Sequence, residues 1–266
     1  MAGYTRRQAV SAWVRSYPLA PRFRNAERVV LKTSDGVSLT GWWLPGPHGA
    51  ATAIILAHGV MHHARNPKVL AFAERLCEEA PVLVLDLRGH GRSGGRSTLG
   101  TEEPLDVGAG VREAARRSGL PVVTIGISLG GASVLLQAGR EGGVAGVFAI
   151  SAPAFTDWSR PGAARLHRVA SSPAGRLISA TLLRTRIATD LGEVVGAAEA
   201  VAAIGPAWIV LVHDPYDHYF GPEHPSAVAG WATGPVETWW EAGAGHGTDL
   251  LDAGLAARIL DRIALR

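Results

Sequence analysis

The chain has 266 residues, a length that a single α/β domain can reach. Hydrophobic residues make up 47% of it and charged residues 18%, which excludes a disordered chain and leaves enough apolar surface for a large core. The net charge of +3, without any long run of basic residues, gives no indication of nucleic-acid binding. Because Cys77 is the sole cysteine, an internal disulfide framework and a cysteine-based zinc cluster are also excluded.

The N-terminal segment, about residues 1–27, is expected to form a helical arm. Five apolar residues fall on one helical stripe: Ala9, Val10, Trp13, Val14 and Tyr17. Polar residues interrupt the segment too often for a secretory signal, and no apolar run approaches the roughly 20 residues that cross a bilayer. We therefore expect a cytoplasmic protein without stable membrane insertion. Packing of the arm on its own domain is favoured over attachment to a membrane surface.

The strand patterns begin with residues 28–32 and 37–44, which flank a Ser34-Asp35-Gly36 turn and predict a β-hairpin. Six apolar runs follow, and their continuous apolar character is typical of strands covered on both faces. These runs are residues 52–57, 81–85, 122–127, 144–150, 208–212 and 236–241. Helical patterns occupy residues 67–79, 104–118, 129–140, 222–232 and 248–264.

A hairpin followed by alternating strands and helices predicts an α/β fold with a mostly parallel, doubly wound sheet of about eight strands. The alternation is interrupted between residues 154 and 205, where prolines and glycines separate helix-compatible stretches. Such an insertion is a usual position for a lid over a site at the carboxyl ends of the strands. We expect one domain over residues 1–266, with a short helical lid inserted after the sixth strand.

The motif Gly126-Ile127-Ser128-Leu129-Gly130 lies between a predicted strand and a predicted helix. In a G-x-S-x-G turn of this kind the serine adopts a strained conformation, which the flanking glycines permit. The serine hydroxyl then projects from the edge of the sheet. The N–H of the next residue, Leu129, stands at a helix N-terminus and can face an oxyanion. Ser128 is therefore the candidate nucleophile.

A serine hydroxyl needs a base, and the base needs an acid that orients it. His246 is the candidate base, because it follows the last predicted strand in the flexible sequence Gly243-Ala244-Gly245-His246-Gly247. Asp217 is the favoured acid, because it stands far enough along the loop after residues 208–212 to turn toward His246. The alternative acid on the same loop is Asp214; more distant alternatives are Asp157 and Asp249.

The sequence His58-Gly59-Val60 ends the third predicted strand. A turn of this kind can present the N–H of Val60 opposite that of Leu129, which would complete an oxyanion hole. Met61 and His62 follow the turn. Together with His58 they are candidates for the wall of a substrate pocket.

From about residue 29 to residue 265 the chain resembles the α/β-hydrolase fold family. The resemblance rests on His58-Gly59, the segment Asp86-Leu87-Arg88-Gly89-His90-Gly91-Arg92-Ser93, the Ser128 motif, the Asp217 loop and Gly245-His246-Gly247. It implies Ser128 as nucleophile, His246 as base, Asp217 as acid, and the N–H groups of Val60 and Leu129 as the oxyanion hole. Asp214 stands where the family usually has glycine. The segment expected to form the lid matches no familiar subfamily, so the resemblance implies no particular substrate.

Other local interpretations are weaker. His213, Asp214, Asp217 and His218 could be taken for a metal site with His62 and His63 as added ligands, but their spacing does not match a helical metal motif. The spacing of Gly89, Gly91 and Gly94 copies a dinucleotide fingerprint without the helix that should follow it. Six arginines in the insertion could form a solvated face or bind an anionic substrate group: Arg160, Arg165, Arg168, Arg176, Arg184 and Arg186.

The sequence therefore predicts a serine hydrolase that cleaves a small-molecule carboxylic ester or thioester through an acyl-enzyme intermediate. No cofactor and no metal is needed for this chemistry. An acyltransferase, a peptidase or a carbon–carbon bond hydrolase could use the same residues, and a non-catalytic binding protein of the same fold is the alternative from another class. A homo-oligomer is compatible with the sequence.

Overall fold

The computed structural model describes residue 23 and residues 25–191 and 196–265. The predicted N-terminal arm lies outside the described residues over 1–22 and 24. Within the described part, eight strands form one sheet. They are β1 (Glu27–Lys32), β2 (Ser38–Leu44), β3 (Ala53–Ala57), β4 (Val82–Asp86), β5 (Val122–Ile127), β6 (Gly146–Ile150), β7 (Trp208–His213) and β8 (Val236–Trp240).

The order of strands across the sheet is β1-β2-β4-β3-β5-β6-β7-β8. Strand β2 runs antiparallel to both of its neighbours, and all other neighbouring strands are parallel. The predicted hairpin and the mostly parallel α/β sheet are both confirmed. Because the parallel strands end at one edge of the sheet, the loops that follow β3, β5, β6, β7 and β8 converge there.

The helices of the described residues are α1 (Pro67–Leu76), α2 (Glu103–Ser118), α3 (Leu129–Arg140), α4 (Pro161–Ser171), α5 (Pro173–Leu182), α6 (Ala197–Ala202), α7 (Glu223–Trp231) and α8 (Ala253–Ala264). The helix predicted over residues 248–264 is divided into a 3₁₀ turn at Gly247–Leu250 and α8. The division occurs where the Asp252 side chain accepts a hydrogen bond from the N–H of Leu255 (2.7 Å) and caps α8. No helix of the described residues has both the length and the apolar character to cross a bilayer.

Two apolar clusters cover the two faces of the sheet, and the central strands contribute to both in alternation. In β3, Ile55 packs into one cluster and Ile54 into the other. The cluster that contains Ile55 is closed by α2, α3, α6 and α7. The opposite cluster is closed by α1 and α8. This arrangement explains why the central strands are apolar without alternation, since both of their faces are buried.

The insertion between β6 and β7 carries α4, α5 and α6. After α5 the chain returns to the loop that follows β4, where Thr185 pairs with His90 and Ile187 with Ser97 in isolated bridges. The N–H of Arg186 also donates to the carbonyl of Gly89 (2.8 Å). Backbone hydrogen bonds therefore attach the insertion to the body of the domain at a point distant in sequence.

Candidate active site

Ser128 occupies a strained turn between β5 and α3, with φ +52° and ψ −113°. Its N–H donates to the carbonyl of Ile150 (2.7 Å). The two glycines of the motif are required because neighbouring backbone atoms lie too close to leave room for a side chain. A Cβ on Gly126 would lie 2.2 Å from the carbonyl oxygen of Gly130, and a Cβ on Gly130 would lie 2.3 Å from that of Ala57. This geometry holds the Ser128 hydroxyl at the carboxyl edge of the sheet.

His246 bridges Ser128 and Asp217. Its Nε2 lies 3.0 Å from Ser128 Oγ, and its Nδ1 lies 2.6 Å from Asp217 Oδ2. A carboxylate beside Nδ1 favours the tautomer with the proton on that nitrogen, which leaves Nε2 free to accept the serine proton. The three side chains come from loops far apart in sequence, and they form one hydrogen-bonded series that can activate the hydroxyl.

Asp217 is fully buried, and its second oxygen accepts hydrogen bonds from the N–H groups of Tyr219 (2.7 Å) and Phe220 (3.3 Å). Burial acts to raise the pKa of Asp217. The hydrogen bond and charge of His246, together with the two N–H groups, outweigh it, so that the pKa lies below the ordinary value. Asp217 is therefore ionised at neutral pH, as the acid partner of a histidine base must be.

Asp214 lies on the same loop, but its carboxylate accepts hydrogen bonds from backbone N–H groups. Its Oδ2 accepts a hydrogen bond from the N–H of Gly245 (2.7 Å), and its Oδ1 accepts one from the N–H of Tyr216 (2.9 Å). On the other side of His246, Ser151 Oγ accepts a hydrogen bond from the N–H of Gly247 (3.0 Å). Asp214 and Ser151 thus hold the residues immediately before and after His246.

Ser151 was not predicted from the sequence, although it follows β6 at the edge of the sheet where the other site residues lie. Its φ of +49° turns the chain sharply at that point. The two more distant acids lie elsewhere. Asp249 pairs with Lys68 on the surface (2.7 Å), and Asp157 accepts a hydrogen bond from the N–H of Ser159 (2.8 Å) in the wall of a cavity.

Val60 and Leu129 both lie beside Ser128. Leu129 is the first residue of α3, and Val60 follows the turn after β3. Between them Gly59 packs so closely that a Cβ there would lie 3.3 Å from Ser128 Cβ. Val60, Leu129 and Ser128 line the same cavity. These placements are compatible with two N–H groups that face the space beside the Ser128 hydroxyl.

His58 is fully buried beneath this turn and lines neither of the cavities beside Ser128. Its Nδ1 faces the carbonyl of Gly59 (2.8 Å), and its Nε2 accepts a hydrogen bond from the N–H of Leu87 (3.1 Å). Burial holds the pKa of His58 well below its usual range, so the ring is neutral. His58 therefore supports the turn from below, because both of its ring nitrogens are used by the backbone.

Met61 and His62 line the smaller cavity beside Ser128. The N–H of Met61 donates to Nε2 of His90 (3.1 Å), a buried histidine whose pKa burial lowers to about 4. His62 lies near Asn66, with 3.0 Å between its Nδ1 and the Asn66 Nδ2, and burial lowers its pKa to about 3. Both histidines are thus neutral at physiological pH.

Two cavities meet at Ser128. The larger has a volume of about 230 Å³ and the smaller about 90 Å³. Ser128, Val60 and Leu166 line both of them, so α4 of the insertion forms part of the wall between them. Aromatic side chains of the insertion also line the larger cavity: Phe155, Trp158 and His167. These lining residues were not predicted individually, because nothing in their local sequence marks them.

The arginines of the insertion do not form the walls of these cavities. Among the described residues, none of the six lines either one. Arg160 pairs with Glu223 (3.2 Å) and donates to the carbonyl of Asp217 (3.3 Å), and Arg176 donates to the carbonyl of Ser171 (2.8 Å). The structure therefore does not bring these arginines to the walls beside Ser128.

Asp157, Glu223 and His224 have side-chain atoms within 4.8 Å of one another, which raises the question of a cation. However, His224 Nδ1 accepts a hydrogen bond from the N–H of Ala154 (3.1 Å). The proton of the neutral ring must therefore be on Nε2, which then has no lone pair to offer a metal. Glu223 is paired with Arg160. This donor set does not fit a metal ion.

The fold and the turn that carries Ser128 define a member of the α/β-hydrolase superfamily. Residues 49–204 match the model of the Hydrolase_4 family, described as serine aminopeptidase S33, and the chain belongs to this family. A search of curated proteins finds no significant match.

Solved structures with the same fold include several esterases. The esterase Pf2001 of Pyrococcus furiosus is 21% identical, with a TM-score of 0.69 over 90% of each chain. Carboxylesterase CesB of Bacillus subtilis is 16% identical, with a TM-score of 0.69 over 97% of each chain. An esterase domain from Rhodothermus marinus is 23% identical, with a TM-score of 0.64 over 91% of this chain and 97% of that one. At these identities the likeness establishes a shared fold.

Proposed function

We propose that the protein is a serine hydrolase that cleaves a carboxylic ester or thioester of a small molecule through an acyl-enzyme intermediate. The observation that carries this proposal is the hydrogen-bonded series from Ser128 through His246 to the buried Asp217. It opens on a cavity whose lining is mostly apolar. The esterase names of the structural neighbours support the same class of substrate.

In the first half of the reaction, Ser128 Oγ attacks the carbonyl carbon while its proton passes to Nε2 of His246. Asp217 stabilises the imidazolium that forms and keeps the ring in the orientation that the transfer requires. The negative charge on the carbonyl oxygen is received by the N–H groups of Val60 and Leu129. The imidazolium then gives its proton to the leaving oxygen or sulfur, and the acyl group remains on Ser128.

In the second half, His246 takes a proton from water, which attacks the acyl carbon. The imidazolium then returns this proton to Ser128 Oγ as the bond between Oγ and the acyl carbon breaks and the acid is released. The helical insertion covers the site as a lid, because Leu166 on α4 lines both cavities beside the serine. An acyltransferase would replace this water with another nucleophile. A peptidase or a carbon–carbon bond hydrolase would change the leaving group and keep the same residues.

The proposal is tested by labelling with a fluorophosphonate probe and by hydrolysis of p-nitrophenyl acetate. Only a base-activated serine reacts with the probe, so the wild type is expected to label and Ser128→Ala is not. The control is Ser226→Ala, an exposed serine on α7, which should label and turn over as the wild type does. Removal of one hydroxyl leaves the fold intact, which circular dichroism checks. An unlabelled wild type would favour a non-catalytic binding protein.

A further inference from the structure

The larger cavity beside Ser128 is suited to an apolar group. Its volume is about 230 Å³, and its walls include the side chains of Leu99, Ala132, Pro153, Phe155, Trp158 and Phe220. At roughly 30 Å³ for each water-sized group, such a space holds about seven or eight of them. A straight chain or a single ring of that size would remove its apolar surface from water here.

The smaller cavity differs in both size and chemistry. Its volume is about 90 Å³, room for about three water-sized groups. His246 lines this cavity, together with Met61, Tyr219 and Thr248. The Tyr219 ring lies 4.4 Å from the His246 ring and limits the space on that side. His246 does not line the larger cavity.

The position of His246 decides which part of an ester enters which cavity. The imidazolium must protonate the leaving oxygen, so that oxygen and its alkyl group lie on the side of His246. The acyl chain leaves the carbonyl carbon in another direction and enters the space that His246 does not line. We propose, on the basis of the serine-hydrolase function above, that the larger cavity binds the acyl chain and the smaller cavity the alcohol. Preferred substrates are then esters of a medium-length or aromatic apolar acid with a small alcohol.

The charge in the larger cavity further restricts which acyl chains it accepts. Asp157 lines this cavity, and hydrogen bonds from Ser159 lower its pKa, so the carboxyl is ionised at neutral pH. Among the described residues no arginine lines the same wall, although the nearby charge of Arg160 also acts to lower the pKa of Asp157. An acyl chain that ends in a carboxylate would meet a like charge there. The cavity therefore disfavours acyl chains that end in a carboxylate, and its walls offer no arginine that would bind an anionic substrate group.

The test compares two series of esters, with kcat/KM measured by titration of the released acid. In methyl esters of straight-chain acids, kcat/KM should rise about two- to fourfold per methylene and level off at about seven or eight carbons. In butyrate esters of straight-chain alcohols, kcat/KM should fall about tenfold once the alcohol is longer than about three carbons. A monomethyl ester of a dicarboxylic acid should react about tenfold more slowly than the uncharged ester of equal length. Asp157→Asn should reduce that difference.

Cavity-filling variants assign each series to its cavity. Ala132→Leu narrows the larger cavity and should move the acid optimum to shorter chains, whereas Thr248→Leu should tighten the limit on the alcohol. If Ala132→Leu does not fold, Trp158→Ala enlarges the same cavity and should move the acid optimum to longer chains. Ser226→Ala, at an exposed residue that lines neither cavity, is the control and should leave both profiles unchanged.

The outcomes separate this inference from the proposed function. The probe could label Ser128 and esters could be cleaved, with kcat/KM rising with alcohol length and falling with acid length. The subsites would then be reversed, so the inference would be wrong while the proposed function stands. An equal response to both series overturns it as well. Absence of both labelling and hydrolysis overturns the proposed function and the inference together.

Discussion

At the scale of single residues, two aspartates on one loop have different partners around His246. Asp217 Oδ2 lies 2.6 Å from His246 Nδ1. Asp214 Oδ2 instead accepts a hydrogen bond from the N–H of Gly245 (2.7 Å), the residue just before His246. The first contact sets the orientation and tautomer of the ring, and the second sets the position of its backbone.

Replacement of each aspartate by asparagine should distinguish these roles. Asp217→Asn removes the charge beside the imidazole and favours the wrong tautomer, which should lower kcat by about 10⁴. Asp214→Asn leaves the Asp217 carboxylate beside His246 and perturbs only the loop. It should therefore lower kcat by about 10- to 100-fold. Both are measured with p-nitrophenyl acetate on folded protein. If Asp214→Asn is the more damaging change, the assignment of the acid is wrong.

At the scale of elements, the turn between β5 and α3 depends on backbone packing against β3. A Cβ on Gly130 would lie 2.3 Å from the carbonyl oxygen of Ala57 and 2.8 Å from that of His58. Both obstacles are backbone atoms, which cannot rotate away as a side chain can. The first turn of α3, with the N–H of Leu129, must therefore shift if Gly130 gains a side chain.

Gly130→Ala should accordingly reduce both stability and activity. We expect a loss of about 1–3 kcal/mol in the free energy of unfolding, measured with urea, because the core cannot expand freely. The displaced serine and Leu129 N–H should lower kcat by about 100-fold or more. Gly205→Ala is the matched control, since nothing lies within 4 Å of a Cβ there, and it should change stability by less than about 0.5 kcal/mol. Equal effects of the two changes would contradict this packing.

At the scale of the whole molecule, buried histidines make the fold sensitive to acid. His58, His90 and His224 are fully buried. Burial lowers the pKa of His90 and of His224 to about 4, and it holds that of His58 well below its usual range. Each pKa is higher in the unfolded chain, about 6.5, so the unfolded state binds more protons below that pH. Stability that is present above pH 6.5 is therefore lost as the pH falls toward 4.

The free energy of unfolding should consequently fall between pH 7 and pH 5.5, by about 1 kcal/mol for each such histidine. Urea denaturation at three pH values across this range measures the slope. His224→Gln should reduce the loss by about 1 kcal/mol, whatever its effect on absolute stability at pH 7. His48→Gln, at an exposed position, is the control and should leave the slope unchanged. A slope that His224→Gln does not alter would show that His224 is not one of the groups responsible.

The sequence by itself determined the architecture. Continuous apolar runs predicted six of the eight strands, and the Ser34-Asp35-Gly36 turn predicted the hairpin of the first two. The central runs are continuous because strands buried on both faces cannot alternate with polar residues. Prolines and glycines marked where the helices of the insertion begin, at Pro161, Pro173 and after Gly196. The G-x-S-x-G motif predicted the turn at Ser128, because the conformation of a tight turn depends on the residues that form it.

The tertiary structure alone decided which groups meet across that turn. Asp214 and Asp217 lie three residues apart in one loop, and position along the loop favoured Asp217 as the acid. The folded structure alone shows that Asp217 faces His246 and that Asp214 holds Gly245. The sequence did not predict the contact of Ser151 with Gly247 or the place of Leu166 in the cavity wall, since each residue acts on a group far away in the chain. Local conformation follows from neighbouring residues. Contacts between separate loops depend on how the whole sheet orders its strands and on where the insertion returns to them.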